Sequence, residues 1–476
     1  MRDRRLWLAT AVLFVLGAWP LLSCDVPPLE DLPAHLAASV VIRHLDAYPQ
    51  FVFHGFFKTN AALFLWLHVF GEANVVLAGK LFVAMVVLAH AWIFPRLASA
   101  SGDDQRLVPA TLLAVPLVHN WFVAAGMLDY ALGSALAMAA LLLLSRQARE
   151  SSRTRAIAIG VLGLAIWYAH VFALAIVVLL VAVEAMRTRS ARPLAIAAPL
   201  APAVLAGAWS AIVEIGRGHG ATSHGFVWRP PWESVYEIWA HYAWSFSKLE
   251  IVSLATTLVL AIGLLRRGRA DVPFLSPAAA IVLAIFALGA PSEAFDWFAV
   301  GSRFLPFLYA IAIVHAPTNV PRVANVALGA AALLWSAGLG LDYRRLDRDM
   351  KELASGASVV PENADLLPLV FDPKGASENT WALLDGWGEY VIAKHTSAPL
   401  LYAHSPSFPL GYATPPADDE QPFRLAREVE RGDAGELARV ASRHAWVLVW
   451  GKAPEGFAVA DHHVAFERGR LRLYAR

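Results

Sequence analysis

The sequence contains only one cysteine, Cys24, among 476 residues. A single cysteine excludes an intramolecular disulfide and any metal site built from several cysteines. Charged residues are also scarce, at 16% of the chain, whereas a soluble protein of this size carries about a quarter. Because the net charge is only +1, the chain has no strong basic field that would attract nucleic acid.

Long apolar runs dominate the remaining sequence. Hydrophobic residues make up 58% of the chain, and short polar loops separate the runs. This pattern predicts an α-helical polytopic membrane protein with about eleven transmembrane helices. Residues 60–71 are apolar but too short to span, so we place them at the outer interface. The predicted spans are 6–23, 74–95, 107–124, 127–145, 156–170, 171–186, 193–214, 249–265, 273–290, 303–316 and 320–341.

Arginine placement predicts the orientation, because loops rich in arginine stay in the cytoplasm. The N-terminus is then cytoplasmic, residues 24–59 form the first outer loop, and everything after residue 342 is extracytoplasmic. Composition rich in alanine and arginine suggests a bacterial source and hence the cytoplasmic (inner) membrane. Residues 21–24 resemble a lipoprotein processing site, but the many following spans favour an uncleaved first helix. The arginines predicted on the inner side are Arg2, Arg4, Arg5, Arg96, Arg106, Arg146, Arg149, Arg153, Arg155, Arg187, Arg189, Arg192, Arg266, Arg267, Arg269 and Arg322.

Residues 343–476 differ from the membrane domain at 1–342, because their apolar runs shorten to strand length. Candidate strands are Leu366–Phe371, Glu389–Ala393 and Ala445–Trp450, and the runs at 464–466 and 471–474 suit a terminal hairpin. A charged helical stretch, rich in Glu and Arg, is predicted over about 418–443. The segment contains no glycine-rich phosphate loop, metal-ligand cluster or nucleophile elbow. We therefore predict a soluble α/β domain on the outer surface.

Two adjacent carboxylates, Glu30 and Asp31, follow the first span directly. The prolines before them make the approach extended, and Asp31 can cap a helix over 32–46. His35 lies four residues further on, so it can share a face with Asp31. Charged groups this close to hydrocarbon usually mark function. Such a pair can act as a general base or hold a divalent cation, whereas the structural alternative is a helix cap beside a solvated loop residue.

Basic and imidazole side chains on other outer loops are candidates for binding a phosphate or covering a substrate. Arg303 begins an apolar helix, and Lys58 and Arg217 are further candidates for the phosphate. His219 and His224 lie in a glycine-rich loop that could close over substrate, and His170 lies at an outer turn. The alternatives are that Arg303 and Lys58 are snorkelling cations, that His219 and His224 lie in a solvated loop, and that His170 caps a helix. Asp129 and Asn120 are expected to be polar packing groups between spans.

These features resemble the GT-C superfamily of polytopic membrane glycosyltransferases, which includes protein O-mannosyltransferases and aminoarabinose transferases. The similar features are the acidic pair after the first span, residues 120–133, the Arg-Phe-Leu-Pro sequence at 303–306, and the outer C-terminal domain. The resemblance implies a catalytic carboxylate at Asp31 or Glu30 and a polyprenyl-phosphate-linked sugar donor. Many members read Asp-Glu where this chain reads Glu-Asp, so either residue can be the base. We favour Asp31 because it leads the helix and aligns with His35.

The resulting hypothesis is an integral-membrane glycosyltransferase that acts on the extracytoplasmic side, without a predicted metal site or a required cofactor. One alternative is a transporter or flippase for lipid-linked saccharides. Its spans should be broken or charged near the middle of the membrane, whereas the polar residues here collect at the outer ends. Another alternative is a non-catalytic assembly protein.

Overall fold

The fold is described from a computed structural model, which covers residues 2–102, 104–216, 225–230, 232–235, 246, 250–265, 271–294, 297–318, 320–403, 405, 408–414, 416–417, 420 and 422–476. Each of the eleven predicted spans coincides with a helix in these ranges. Among the described residues, seven helical segments are long and apolar enough to cross a membrane. They are Asp3–Ser23, Val75–Ala98, Leu107–Ala124, Leu128–Arg149, Val171–Thr188, Arg192–Val213 and Arg322–Ser358.

Four predicted spans coincide with shorter apolar helices: Arg153–Ala169, Ile251–Leu265, Pro277–Gly289 and Leu305–Val314. Their ends follow local capping chemistry. Ser276 caps the third of them through the Ala279 amide, and Pro277 occupies its first turn, where its missing N–H costs nothing. The helical, polytopic membrane fold is thus confirmed.

The segment predicted as the first outer loop, residues 24–59, contains a helix at Leu32–Arg43, which we call the interfacial helix. It ends three residues before the predicted limit, and a short 3-10 turn, Leu45–Ala47, follows. The strand Phe51–Phe53 then pairs antiparallel with Leu410–Tyr412 of the C-terminal domain. Apolar residues 62–70 form a nine-residue helix, Ala62–Phe70, which is too short to span, as predicted.

The C-terminal domain contains a four-stranded sheet. Its spatial order is Leu366–Val370, Trp446–Trp450, Leu471–Ala475 and His463–Arg468, with the first pair parallel and the others antiparallel. Alternate residues of its first strand face opposite sides. Leu367 and Leu369 pack with the helices Pro422–Arg431 and Ala434–Ala441, whereas Leu366 and Val370 belong to a core shared with the interfacial helix. The α/β domain is confirmed, and it is packed directly onto the first outer loop.

One secondary-structure prediction for this domain was wrong. The run Glu389–Ala393 lies within a helix, Gly388–Lys394, because a short apolar run fits a strand or a helix equally well. The predicted helical stretch over 418–443 contains two helices separated at Gly432, whose φ of +68° breaks the helical path. The last membrane helix continues through the predicted boundary at residue 342 to Ala354, and the division into two domains stays a prediction.

Candidate active site

A cavity of about 140 Å³ opens between the membrane helices and the C-terminal domain. Asp31 and His35 of the first outer loop reach it from one side, and Arg303 reaches it from another. The cavity therefore brings together four predicted site residues, Asp31, His35, His170 and Arg303, from three distant parts of the chain. Its lining consists of Asp31, His35, Thr59, Asn60, Met127, Leu128, Asp129, Tyr130, His170, Val171, Trp297, Phe298, Arg303, Tyr402, Ser405 and Phe408.

Backbone hydrogen bonds hold the acidic pair against the turn at residues 124–126. The amides of Glu30 and Asp31 donate to the carbonyls of Ala124 and Ala125, at 3.1 and 3.3 Å. Gly126 has a φ of +77°, and a Cβ there would lie 2.6 Å from the Asp31 backbone nitrogen. Only glycine permits this conformation and this approach without strain. Asp31 precedes the interfacial helix as expected, but its side chain makes no capping hydrogen bond.

The Asp31 carboxylate instead faces two side chains of the C-terminal domain. The Tyr402 hydroxyl oxygen lies 3.3 Å from Asp31 Oδ1 and 3.1 Å from Asp385 Oδ2. Glu30 points elsewhere: its Oε2 accepts a hydrogen bond from the Trp381 amide at 3.1 Å. Asp31 lines the cavity, whereas Glu30 does not.

Enclosure by protein raises the pKa of these carboxyl groups, because burial disfavours the charged carboxylate. Burial raises the pKa of Asp31 to about 7, although the Tyr402 hydroxyl and the Arg303 charge oppose the rise. Burial, followed by the charge of Asp31, raises the pKa of Glu30 and also that of Asp385. Burial and the neighbouring carboxylates raise the pKa of Tyr402, so the phenol keeps its proton at neutral pH.

Arg303 is the first residue of the tenth predicted span and lies in a short 3-10 turn, Gly301–Phe304, just before the helix Leu305–Val314. It is only 6% exposed, and its Nε donates to the Phe298 carbonyl at 3.2 Å. Its guanidinium carbon lies 5.0 Å from the ring centroid of Tyr130 and 5.9 Å from that of Trp297. Such contacts stabilise the cation through the negative faces of the rings. No carboxylate forms an ion pair with it among the described residues, so its charge is available to an anion.

His170 faces hydrogen-bond donors at both ring nitrogens. The Phe172 amide donates to Nδ1 at 3.2 Å and caps the helix Val171–Thr188, while Arg303 Nη1 lies 3.0 Å from Nε2. Burial and the Arg303 charge lower the pKa of His170, so the ring is neutral and has one accepting nitrogen. If Nδ1 accepts the capping bond, Nε2 carries the proton and faces the guanidinium. An anion between the two N–H groups would satisfy both.

The interfacial helix adds an imidazole to the cavity. His35 packs edge-on against Phe64, with the ring centroids 5.3 Å apart. Its Nδ1 is enclosed and has no hydrogen-bond partner among the described residues. Asp129 also lines the cavity, but its Oδ1 accepts the Leu63 amide at 2.9 Å and caps the helix Ala62–Phe70. This geometry agrees with the structural role expected for Asp129.

Other predicted site residues lie elsewhere. Lys58 does not line the cavity, because its Nζ donates to the Phe408 carbonyl at 2.8 Å. Arg217, His219 and His224 lie outside the described residues. Across the described part of the chain, no three His, Cys, Asp or Glu side chains converge to hold a metal ion.

Sequence reasoning missed the contribution of the C-terminal domain to the site. Asp385 and Tyr402 lie more than three hundred residues from Asp31 along the chain and carry no recognisable motif. Tyr130 lies inside the segment 120–133 that supported the GT-C resemblance, but its contact with Arg303 was not anticipated. Its hydroxyl donates to the Arg303 carbonyl.

Comparison with solved structures identifies the fold of this chain. No family model and no curated protein matches the sequence. The crystal structure of ArnT from Cupriavidus metallidurans in the apo state aligns with a TM-score of 0.62 over 98% of this chain and 97% of that chain, at 13% identity. The chain has the fold of ArnT.

A second ArnT structure from the same organism, bound to undecaprenyl phosphate, aligns with a TM-score of 0.60, at 12% identity and the same coverage of both chains. Because the alignment spans nearly the whole of each chain, the membrane helices and the C-terminal domain share the arrangement found in ArnT. The expected architecture, a polytopic helical membrane protein with a C-terminal domain, is therefore confirmed at the level of the fold.

Proposed function

We propose that the protein is an integral-membrane glycosyltransferase that uses a polyprenyl-phosphate-linked sugar donor. The observation that carries the proposal is the shared cavity, which contains the Asp31 carboxylate and the buried Arg303 cation. Glycosyl transfer needs one group to remove a proton from the acceptor and another to stabilise the departing phosphate. The fold shared with ArnT, one structure of which holds undecaprenyl phosphate, supports the lipid class of the donor.

The phosphate of the donor binds beside Arg303 in this proposal. The guanidinium supplies charge and several N–H donors, and His170 Nε2–H supplies a further neutral donor. Trp297 and Phe298 line the cavity near this cation and offer apolar surface. Such charge-assisted hydrogen bonds to phosphate strengthen as negative charge develops on the leaving oxygen.

Asp31 acts as the general base. Its carboxylate takes the proton of the acceptor hydroxyl, whose oxygen forms a bond to the anomeric carbon. The bond from that carbon to the phosphate oxygen breaks, and its electron pair leaves with the polyprenyl phosphate. A pKa of about 7 suits this role, because a base whose pKa is close to the working pH transfers protons efficiently. Asp31 is preferred over Glu30, whose carboxylate accepts the Trp381 amide outside the cavity lining.

The reaction takes place on the extracytoplasmic side in this proposal, with the N-terminus in the cytoplasm of a bacterial cell. Arginines lie at the helix ends on the side away from the cavity. Arg149 and Arg192 donate to the carbonyls of Ala100 and Ala148, respectively. Such basic loops are expected in the cytoplasm. The C-terminal domain and the acidic pair then face the outside.

A turnover assay tests the proposal. The purified protein in detergent is mixed with a membrane extract of the source organism, which contains both polyprenyl-phosphate sugars and acceptors, and released polyprenyl phosphate is measured by mass spectrometry. We expect release by the wild type, its loss in Asp31→Asn, and a smaller decrease in Glu30→Gln. A transporter would move the lipid across proteoliposomes without cleaving it, and an assembly protein would do neither. Unchanged release by a folded Asp31→Asn variant would contradict the proposed role of Asp31.

A further inference from the structure

Asp385 belongs to the C-terminal domain, yet its carboxylate is linked to the cavity. It is only 4% exposed and lies in the turn before the helix Gly388–Lys394. The Gly388 amide donates to its backbone carbonyl at 2.9 Å, which fixes the turn. Its Oδ2 lies 3.1 Å from the hydroxyl oxygen of Tyr402, which in turn lies 3.3 Å from Asp31 Oδ1.

The helix that follows Asp385 is held tightly against the first outer loop. A Cβ on Gly388 would lie 2.4 Å from the Pro33 carbonyl oxygen, two residues after Asp31. Tyr390 and Val391 of this helix share a buried core with Ala34 and Ala37. The relative position of Asp31 and Asp385 is therefore set by packing and does not depend on a single flexible loop.

The number of protons shared by the triad of Asp31, Tyr402 and Asp385 is constrained. The Tyr402 hydroxyl has one proton, whereas two carboxyl oxygens lie within hydrogen-bond distance of its oxygen. Two hydrogen bonds in a chain of three such groups need two protons, so one of the two carboxyl groups must carry a proton. The alternative is one proton divided between two ionised carboxylates, which leaves two like charges in an enclosed site.

The cavity favours the proton on Asp385 over Asp31. Arg303 lines the cavity together with Asp31 and favours the ionised form of Asp31, whereas Asp385 does not line the cavity. The repulsion between Asp31 and Asp385 acts on both carboxylates equally, so the Arg303 charge decides which of the two is ionised. With Asp385 protonated, its O–H donates to the Tyr402 oxygen, and the Tyr402 O–H donates to Asp31 Oδ1. The charged and titratable groups around Asp31, Tyr402 and Asp385 are Glu30, His35 and Arg303, and Lys374 acts on Glu30 at longer range.

We propose that Asp385, in its protonated form, is a positioning residue that orients Tyr402 so that the phenol donates to Asp31. The inference rests on the proposed function, because it assumes that Asp31 is the general base. One oxygen of Asp31 is then fixed by Tyr402, and the other is directed to the acceptor hydroxyl. Docking of the C-terminal domain thereby completes the geometry of the base.

Paired substitutions test this role. Asparagine at position 385 keeps a donor for the Tyr402 oxygen, so Asp385→Asn should retain kcat within a few-fold. Asp385→Ala removes the donor and leaves Tyr402 free to rotate, so the Asp31 carboxylate loses its fixed position. A misplacement of that carboxylate by about 1 Å should lower kcat by on the order of 10²-fold, with KM unchanged. Tyr402→Phe removes the hydrogen-bond donor to Asp31, which raises the pKa of that carboxylate. The acid limb of the pH profile of kcat should therefore move to higher pH. Equal losses in the Asn and Ala variants, or none in either, would overturn the proposal.

Infrared spectroscopy provides a readout that does not need turnover. At neutral pH, the difference spectrum between wild type and Asp385→Asn should contain the carbonyl stretch of one protonated carboxyl group. The absence of this band would overturn the assignment of the proton, even if transfer by the wild type is observed. If the band is present but Asp31→Asn keeps full transfer activity, the proposed function fails while the shared proton stands. Thermal unfolding in the same detergent verifies that each variant is folded.

Discussion

Replacing Arg303 with glutamine should weaken the binding of undecaprenyl phosphate and leave the binding of undecaprenol unchanged. Glutamine keeps a polar amide but removes the charge that faces the cavity. Arg303 is only 6% exposed, so water screens its charge weakly. A hydrogen bond to a charged group contributes about 1.5–3 kcal/mol, which corresponds to a dissociation constant about 10- to 150-fold higher.

The assay is a titration of each lipid into the protein in nanodiscs, followed by native mass spectrometry. Undecaprenol has the same polyprenyl chain without the phosphate, so a change in its binding would report general damage to the lipid-binding site. Lys58→Gln is the matched control, because this cation donates to the Phe408 carbonyl and does not line the cavity. We expect Lys58→Gln to bind both lipids as the wild type does. Equal affinity of Arg303→Gln and the wild type for undecaprenyl phosphate would refute the placement of the phosphate.

The remaining predictions concern the base and its support. Asp31→Asn should lower the rate of transfer by about 10²–10⁴-fold, while undecaprenyl phosphate still binds in the same titration. Because the base must be ionised and its pKa is about 7, kcat of the wild type should fall about tenfold per pH unit below that value; a flat profile would contradict this role. Gly126→Ala should lower the thermal midpoint and the transfer rate, because a left-handed conformation costs a non-glycine residue about 1–2 kcal/mol and the new Cβ would clash with the Asp31 backbone. Gly289→Ala is its control, since a Cβ there meets nothing within 4 Å.

The membrane helices were predictable from hydropathy alone. A bilayer leaves backbone groups no partner except those within the helix, so a sufficiently long apolar run has essentially one structure available to it. The acidic pair and Arg303 were found because charged groups next to apolar segments are rare and stand out. Their meeting in one cavity was a hypothesis, and the structure places Asp31 and Arg303 in the same lining.

The part of the site that the C-terminal domain contributes could not be predicted from charged residues next to apolar segments. Tyr402 and Asp385 carry no motif, and they reach Asp31 only because the domain docks onto the interfacial helix. That docking includes the short strand Phe51–Phe53, whose three residues are too few to show a period. Side-chain direction was equally invisible in the sequence: Lys58 was selected for its position, and in the structure its Nζ donates to the Phe408 carbonyl outside the cavity lining.

The central claim is that one cavity holds both the donor phosphate and the base. A cryo-electron microscopy structure in nanodiscs with undecaprenyl phosphate tests it directly. We expect density for the phosphate beside Arg303 and His170, with the Asp31 carboxylate facing the same space and the lipid chain leading into the membrane. A lipid phosphate bound at another surface, with this cavity left without lipid density, would contradict the account.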